Sequence, residues 1–281
     1  WFKHKIISLP HSLIERILRQ NKVKINKKKV KSSYRLQSGD LIEIYDISKF
    51  KAKDKIEKVK YKPNKKELSR YDDYIIENND NFVVINKPAG IPVQSGTKSF
   101  KNITDLLKDS KYFEGSKPFI VHRIDKETSG ILIIAKNRKY AQLFTSLFRI
   151  RKIHKTYLAL AYGKINNSLK SMRDDLIYYE NKKKIIQKAI SNIKIIKSND
   201  ELSYVELNPV TGRKHQLRKQ LLNIGNPIIG DDKYFLTNFR KIKTKNLMLH
   251  AYRIKFMINN VQYTFKAKYN NYFEQLLKEK F

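Results

Sequence analysis

The 281-residue chain is 41% apolar and 31% charged, with 60 Lys and Arg against 26 Asp and Glu. The net charge of +34 points first to nucleic acid as partner, ahead of an anionic membrane surface, and the apolar share excludes wholesale disorder. With no cysteine, disulfides, thiolate nucleophiles, iron–sulfur clusters and cysteine-type zinc sites are excluded.

No apolar run approaches the roughly 18–20 residues of a membrane span, and no signal-peptide pattern is visible, so a cytoplasmic protein without membrane association is expected. The chain opens on Trp1 rather than Met, and its N-terminus is expected to be incomplete.

Residues 1–48 read as a small module. Ser12-Leu-Ile-Glu15 has the form of a capping box, and Leu13, Ile14, Ile17 and Leu18 follow at helical spacing, which predicts a helix over 12–20. Val23 and Ile25 alternate with Lys22 and Lys24, as in a half-buried strand with a basic outer face. Residues 26–29, including Lys27 and Lys28, read as a charged turn, and 41–45 as a second strand. Residues 49–70 carry ten Lys or Arg against three acids and contain Pro63, so a basic linker is expected there.

A second domain is expected over 71–281. Strands are read at 74–77, 82–85, 131–135, 157–161, 189–196 and 202–207, with Thr128-Ser-Gly130 as a turn. Helices are read at 102–110, 138–148, 216–224 (closing at Gly225) and 272–280. Residues 247–256 and 261–268 read as a hairpin across Asn259-Asn260. The mixture predicts an α+β class: a small RNA-binding domain plus a large mixed or antiparallel sheet.

Two polar clusters interrupt this pattern. His122-Arg-Ile-Asp-Lys-Glu-Thr-Ser-Gly130 lies between two apolar runs, where a loop can mount a site. Asp125, between Arg123 and Lys126, suits a nucleophile better than a general acid; a structural salt bridge is the competing reading. Thr211-Gly-Arg-Lys-His-Gln-Leu-Arg218 turns into a helix, where Arg213 could meet a phosphate and Arg218 a carboxylate; a plain basic helix face competes. Tyr157, at a strand end, could stack on a base. His122, His215 and His250 show no metal-ligand spacing, and no G-x-S-x-G occurs.

These clusters, with Val84-Ile-Asn-Lys-Pro-Ala-Gly90, Pro227-Ile-Ile-Gly-Asp231 and Leu249-His-Ala251, follow in family order and together resemble the large-subunit ribosomal RNA pseudouridine synthases. Residues 9–45 resemble an S4 RNA-binding domain through Val23–Asn26 and Gly39-Asp40, and the stretch from Pro10 to Arg19 is most similar to the RluC branch. Ile124, Leu217 and Gln94-Ser-Gly96 depart from the family pattern.

The resemblance implies isomerisation of uridine to pseudouridine in 23S ribosomal RNA, free or in large-subunit assembly intermediates, with no metal, cofactor or obligate protein partner. It implies that Asp125 acts on the nucleotide, Tyr157 packs on the uracil, Arg218 pairs with Asp125, and Arg123 helps flip the base. His122, Arg213, Lys214 and His215 would contact RNA, as would Lys22, Lys24, Lys27 and Lys28 of the module. Attack at C1′, attack at C6 and abstraction of the 2′ proton all stay open for Asp125. The alternatives are a non-catalytic RNA-binding or ribosome-assembly protein, and the same chemistry on transfer RNA.

Overall fold

A computed structural model of the chain describes residues 11–46, 72–94, 101–180 and 183–281. The basic stretch 49–70, residues 95 and 96 of the Gln94-Ser-Gly96 departure and the Ser12 side chain of the expected capping box lie outside the described residues. The chain divides into two compact units, residues 1–59 and 60–281.

In the first unit, helix α1 (His11–Arg19) packs Ile17 onto Val23 of β1 (Val23–Ile25). β1 lies between β2 (Lys28–Lys29) and β3 (Ile42–Ile44). The expected charged turn is shorter than its sequence suggests: Asn26 and Lys27 alone turn, both at positive φ, and Lys28 already pairs with Ile25. A two-residue turn of this hand matches the twist of the flanking strands, and Asn tolerates it. Asn26 and Asp40 then join turn to turn, Asn26 Nδ2 donating to Asp40 Oδ1 at 2.8 Å.

The second unit is built on one ten-stranded sheet. In chain order come β4 (Ile75–Asn78), β5 (Phe82–Lys87), α2 (Ile103–Lys108), β6 (Phe119–Ile120), β7 (Ser129–Ala135) and α3 (Arg138–Arg149). Then follow β8 (His154–Tyr162), β9 (Ser171–Glu180), β10 (Lys183–Ser198), β11 (Leu202–Pro209) and α4 (Gln216–Asn223). The chain ends with β12 (Leu249–Ile258), β13 (Val261–Lys266) and α5 (Asn271–Lys280). Strand order is β4-β5-β7-β12-β8-β11-β10-β9, with β13 on β12 and β6 on β7. The class is therefore α+β, with a mixed sheet in which β7 and β12 run parallel and the other pairs antiparallel. No helix of the described residues is long and apolar enough to cross a membrane.

Two differences from the sequence reading stand out. Ser129 and Gly130 are not turn residues; they begin β7, and only Thr128 remains in the turn. β9 was not anticipated, because Asp174 and Asp175 are poor strand formers. Asp174 is held there by amide groups of α4, from Gln220 at 2.9 Å and Asn223 at 2.8 Å.

The seam between β7 and β12 positions the site. Gly130 has φ +107, and a Cβ on it would come within 2.3 Å of the Ala251 carbonyl oxygen, so only glycine lets the strands meet. Beside it the Ser129 hydroxyl lies 2.9 Å from His250 Nδ1, and His250 Nε2 lies 3.1 Å from the Ala267 carbonyl. Burial lowers the His250 pKa to about 4, so the ring is neutral. The carbonyl requires N–H on Nε2, leaving Nδ1 to accept from Ser129.

Candidate active site

A cleft of about 930 Å³ opens where the loop before β7, the start of β8 and the turn from β11 into α4 converge. Asp125, Arg123, Tyr157, His215, Arg213 and Arg218 all line it. The two polar clusters, some 90 residues apart in sequence, thus meet in space. Asp125 is the sole carboxylate among the described residues lining the cleft.

The Asp125 loop is held from behind. Lys87, at the end of β5, is fully buried, and its Nζ donates to the carbonyls of Pro88 (2.7 Å), Ile91 (2.9 Å) and Lys126 (3.1 Å). Burial pulls its pKa down to about 7, against the attraction of Glu127 and Asp125. Three carbonyl acceptors require three N–H donors, which only the ammonium supplies. The next turn closes through Thr128 N–H to the Asp125 carbonyl at 3.2 Å.

Two side chains, one of them the Arg218 cation, face Asp125 without closing on it. Arg218 Nη1 is 3.8 Å from Oδ2, and His215 Nε2 is 3.8 Å from Oδ1. The tight partner of Arg218 is Asp231: Nε and Nη2 each donate to its carboxylate at 2.7 Å. Asp231 is fully buried, and its Oδ1 also accepts from the backbone of Lys233 and Tyr234 at 2.9 Å each. The sequence reading missed Asp231 as a site residue and recognised it only as the end of Pro227-Ile-Ile-Gly-Asp231. A Cβ on Gly230 would lie 2.3 Å from the Asn246 carbonyl, so glycine is required for the turn that delivers Asp231.

His215 precedes α4 in the left-handed region at φ +54. Its Nδ1 lies 2.9 Å from the Tyr234 hydroxyl, and burial holds its pKa below that of free imidazole against the pull of Asp125. Tyr234 also lies beneath the Arg218 guanidinium, 5.0 Å from ring centre to Cζ. Gln216 fastens the preceding turn, its Oε1 accepting from Thr211 Oγ1 (2.7 Å) and Arg213 N (3.0 Å) while Nε2 donates to Ile190 and Ser191.

Tyr157 forms part of the floor. Burial first, and then the Asp125 charge, push its phenol well above the ordinary tyrosine value, so it stays protonated. Arg123 is exposed at the cleft and makes no hydrogen bond or ion pair with the described residues.

The remaining expected residues divide. His122 is committed to the fold: Nε2 accepts from Ile133 N at 2.8 Å and the ring stacks on Phe148. Burial lowers its pKa to about 3, so it adds no charge for RNA. Arg213 lines the cleft with its Nε on the Lys188 carbonyl at 3.1 Å, whereas Lys214 is exposed and outside the lining. In the first unit, Lys22 pairs with Asp46 at 2.5 Å and Lys24 lies over the Tyr45 ring, while Lys27 and Lys28 are exposed.

Residues 81–223 match the family model described as RNA pseudouridylate synthase, and 10–42 match the S4 domain. The chain is 37% identical to Ribosomal large subunit pseudouridine synthase C of Rickettsia felis, over 88% of this chain and 83% of that one. It is 32% identical to the protein of the same name from Vibrio vulnificus, over 91% and 83%. Among solved structures, Human RNA Pseudouridylate Synthase Domain Containing 4 superposes with a TM-score of 0.64 at 25% identity, covering 75% of this chain and 94% of that one. A sheet with a polar cleft around one carboxylate, the family match and these relatives agree: the chain belongs to the RNA pseudouridylate synthase family and carries an N-terminal S4 domain.

Proposed function

We propose that this enzyme converts uridine to pseudouridine in 23S ribosomal RNA, free or in an assembling large subunit, with Asp125 acting on a nucleotide flipped into the cleft. The observation that carries this reading is the isolation of Asp125: one carboxylate in a cleft that Tyr157 also lines, facing Arg218 and His215, each at 3.8 Å. Hydrolysis of a glycosidic bond by paired carboxylates needs a second acid in the cleft. Base isomerisation needs one acidic group, a platform for the detached ring and walls that stop it escaping.

The target base must leave its stack before N1–C1′ is broken and C5 joined to C1′. Tyr157 supplies the platform. Arg123, exposed and uncommitted, would enter the gap left in the RNA. Lys27, Lys28 and the other exposed lysines of the first unit add affinity that falls with salt. The relatives' names point to the large ribosomal subunit as the source of the RNA.

The test is pseudouridine mapping at single-nucleotide resolution on unmodified 23S ribosomal RNA treated with wild type or Asp125→Asn. New sites with wild type alone are expected, with RNA affinity of the variant largely kept. Sites appearing only in transfer RNA would move the substrate. No site in 23S RNA, transfer RNA or immature large-subunit particles would favour the RNA-binding alternative.

A further inference from the structure

Lys155 lines the cleft and has no part in the chemistry described so far. It stands two residues before Tyr157 on β8, so both side chains share a face of the strand, about 7 Å apart. Its Nζ lies beside the turn after β11, 3.9 Å from where a Cβ on Gly212 would sit. That turn also presents Arg213, whose Nε is fixed on the Lys188 carbonyl.

The Lys155 ammonium has no hydrogen bond or ion pair with the described residues, and burial draws its pKa below the ordinary lysine value. The other buried cations of the site are satisfied: Arg218 by Asp231, and Lys87 by three carbonyls. His122, whose pKa the Lys155 charge lowers, is kept neutral by burial and by that charge. A partly buried charge without a partner is unfavourable, and an incoming anion relieves it.

Resting on the isomerase reading, we propose that Lys155 Nζ and the 211–213 turn form a phosphodiester subsite for the backbone phosphate adjoining the flipped uridine. Uracil is neutral, so the phosphodiester is the anion that an RNA brings into the cleft. Tyr157 and Asp125 take the base, and one nucleotide of backbone must leave past Lys155. Lysine meets a phosphate as a point charge and needs no fixed angle of approach. Lys155 is thus a binding residue that fixes how deep the nucleotide enters.

The test compares wild type, Lys155→Met and Lys155→Arg in binding to unmodified 23S RNA across a salt series. Lys155→Met should bind about tenfold more weakly. Its salt slope should fall by about one ion, and Lys155→Arg should restore both. On a stem-loop containing the mapped uridine, a neutral methylphosphonate 5′ or 3′ of that uridine should weaken wild type and leave Lys155→Met no weaker than before. Wild-type affinity and slope in Lys155→Met, or an equal methylphosphonate penalty in both proteins, would overturn the subsite. Wild type without turnover would count against the isomerase reading alone, because the salt series needs only binding. The methylphosphonate leaves the protein intact, so it also separates lost contact from a folding defect.

Discussion

Arg218 is gripped by Asp231 rather than by Asp125. Two 2.7 Å hydrogen bonds tie the guanidinium to Asp231, whereas its approach to Asp125 stops at 3.8 Å. The Arg218 side chain is 8% exposed and Asp231 is 0% exposed, against 28% for Asp125. Asp231 therefore sets the position of the cation, and Asp125 stays reachable by a nucleotide.

Removing Asp231 should damage both stability and turnover. Asp231→Ala leaves a buried guanidinium unpaired, which costs about 3–5 kcal/mol. Urea unfolding should show a loss of that order. Asp231→Asn keeps the shape and an acceptor; it should fold better yet lose at least tenfold in single-turnover rate, because Arg218 is no longer neutralised at its fixed distance. Turnover unaffected in Asp231→Asn would show that Arg218 needs no anchor.

Tyr157→Phe isolates the phenol hydroxyl from the ring. The raised pKa keeps that hydroxyl protonated at neutral pH, so it cannot serve there as a ready base. RNA affinity should stay within about twofold, since stacking uses the ring face. Any loss should appear in the rate of isomerisation, read by single turnover at saturating RNA. A strong loss of affinity would contradict a purely stacking contact.

Much of this was legible in the sequence where local rules and tertiary context agree. Asn259 and Asn260 both take positive φ in the β12–β13 turn, and Gly225 follows α4 at φ +84, as their residue types suggest. Local rules failed where a distant partner decides. β9 survives two consecutive aspartates because α4 supplies amides to Asp174. Gly130 looked like turn chemistry because its neighbour Ala251 is 121 residues away. Charge pattern could suggest that Arg218 meets a carboxylate, but not that the firm partner is Asp231.

Gly130→Ala tests the seam directly. The new Cβ would meet the Ala251 carbonyl at 2.3 Å in a backbone conformation at φ +107, so backbone must move. Strain and overpacking each cost about 1–3 kcal/mol. The variant should lose at least about 2 kcal/mol in urea unfolding and, because β7 carries the Asp125 loop, lose activity as well. A variant of wild-type stability would mean that the β7–β12 contact is looser than its geometry.

The same seam should make stability fall in mild acid. His250 is 1% exposed, with a folded pKa near 4 against 6.5 for the free ring. Between those values the unfolded chain binds a proton that the folded chain refuses, so unfolding becomes easier as pH drops. The neutral form contributes its full share above about pH 6.5, and about 3 kcal/mol is lost by pH 4. Protonation would force N–H onto Nδ1, where the Ser129 hydroxyl now lies at 2.9 Å, although that hydroxyl can rotate to accept. Desolvation of the charged ring is therefore the larger cost. His122 titrates in the same direction with a pKa near 3, so the slope should exceed that of one histidine. Urea unfolding at pH 7 and pH 4.5 should show the decline in wild type and a smaller one in His250→Gln. An equal decline in both proteins would place the acid sensitivity outside the seam.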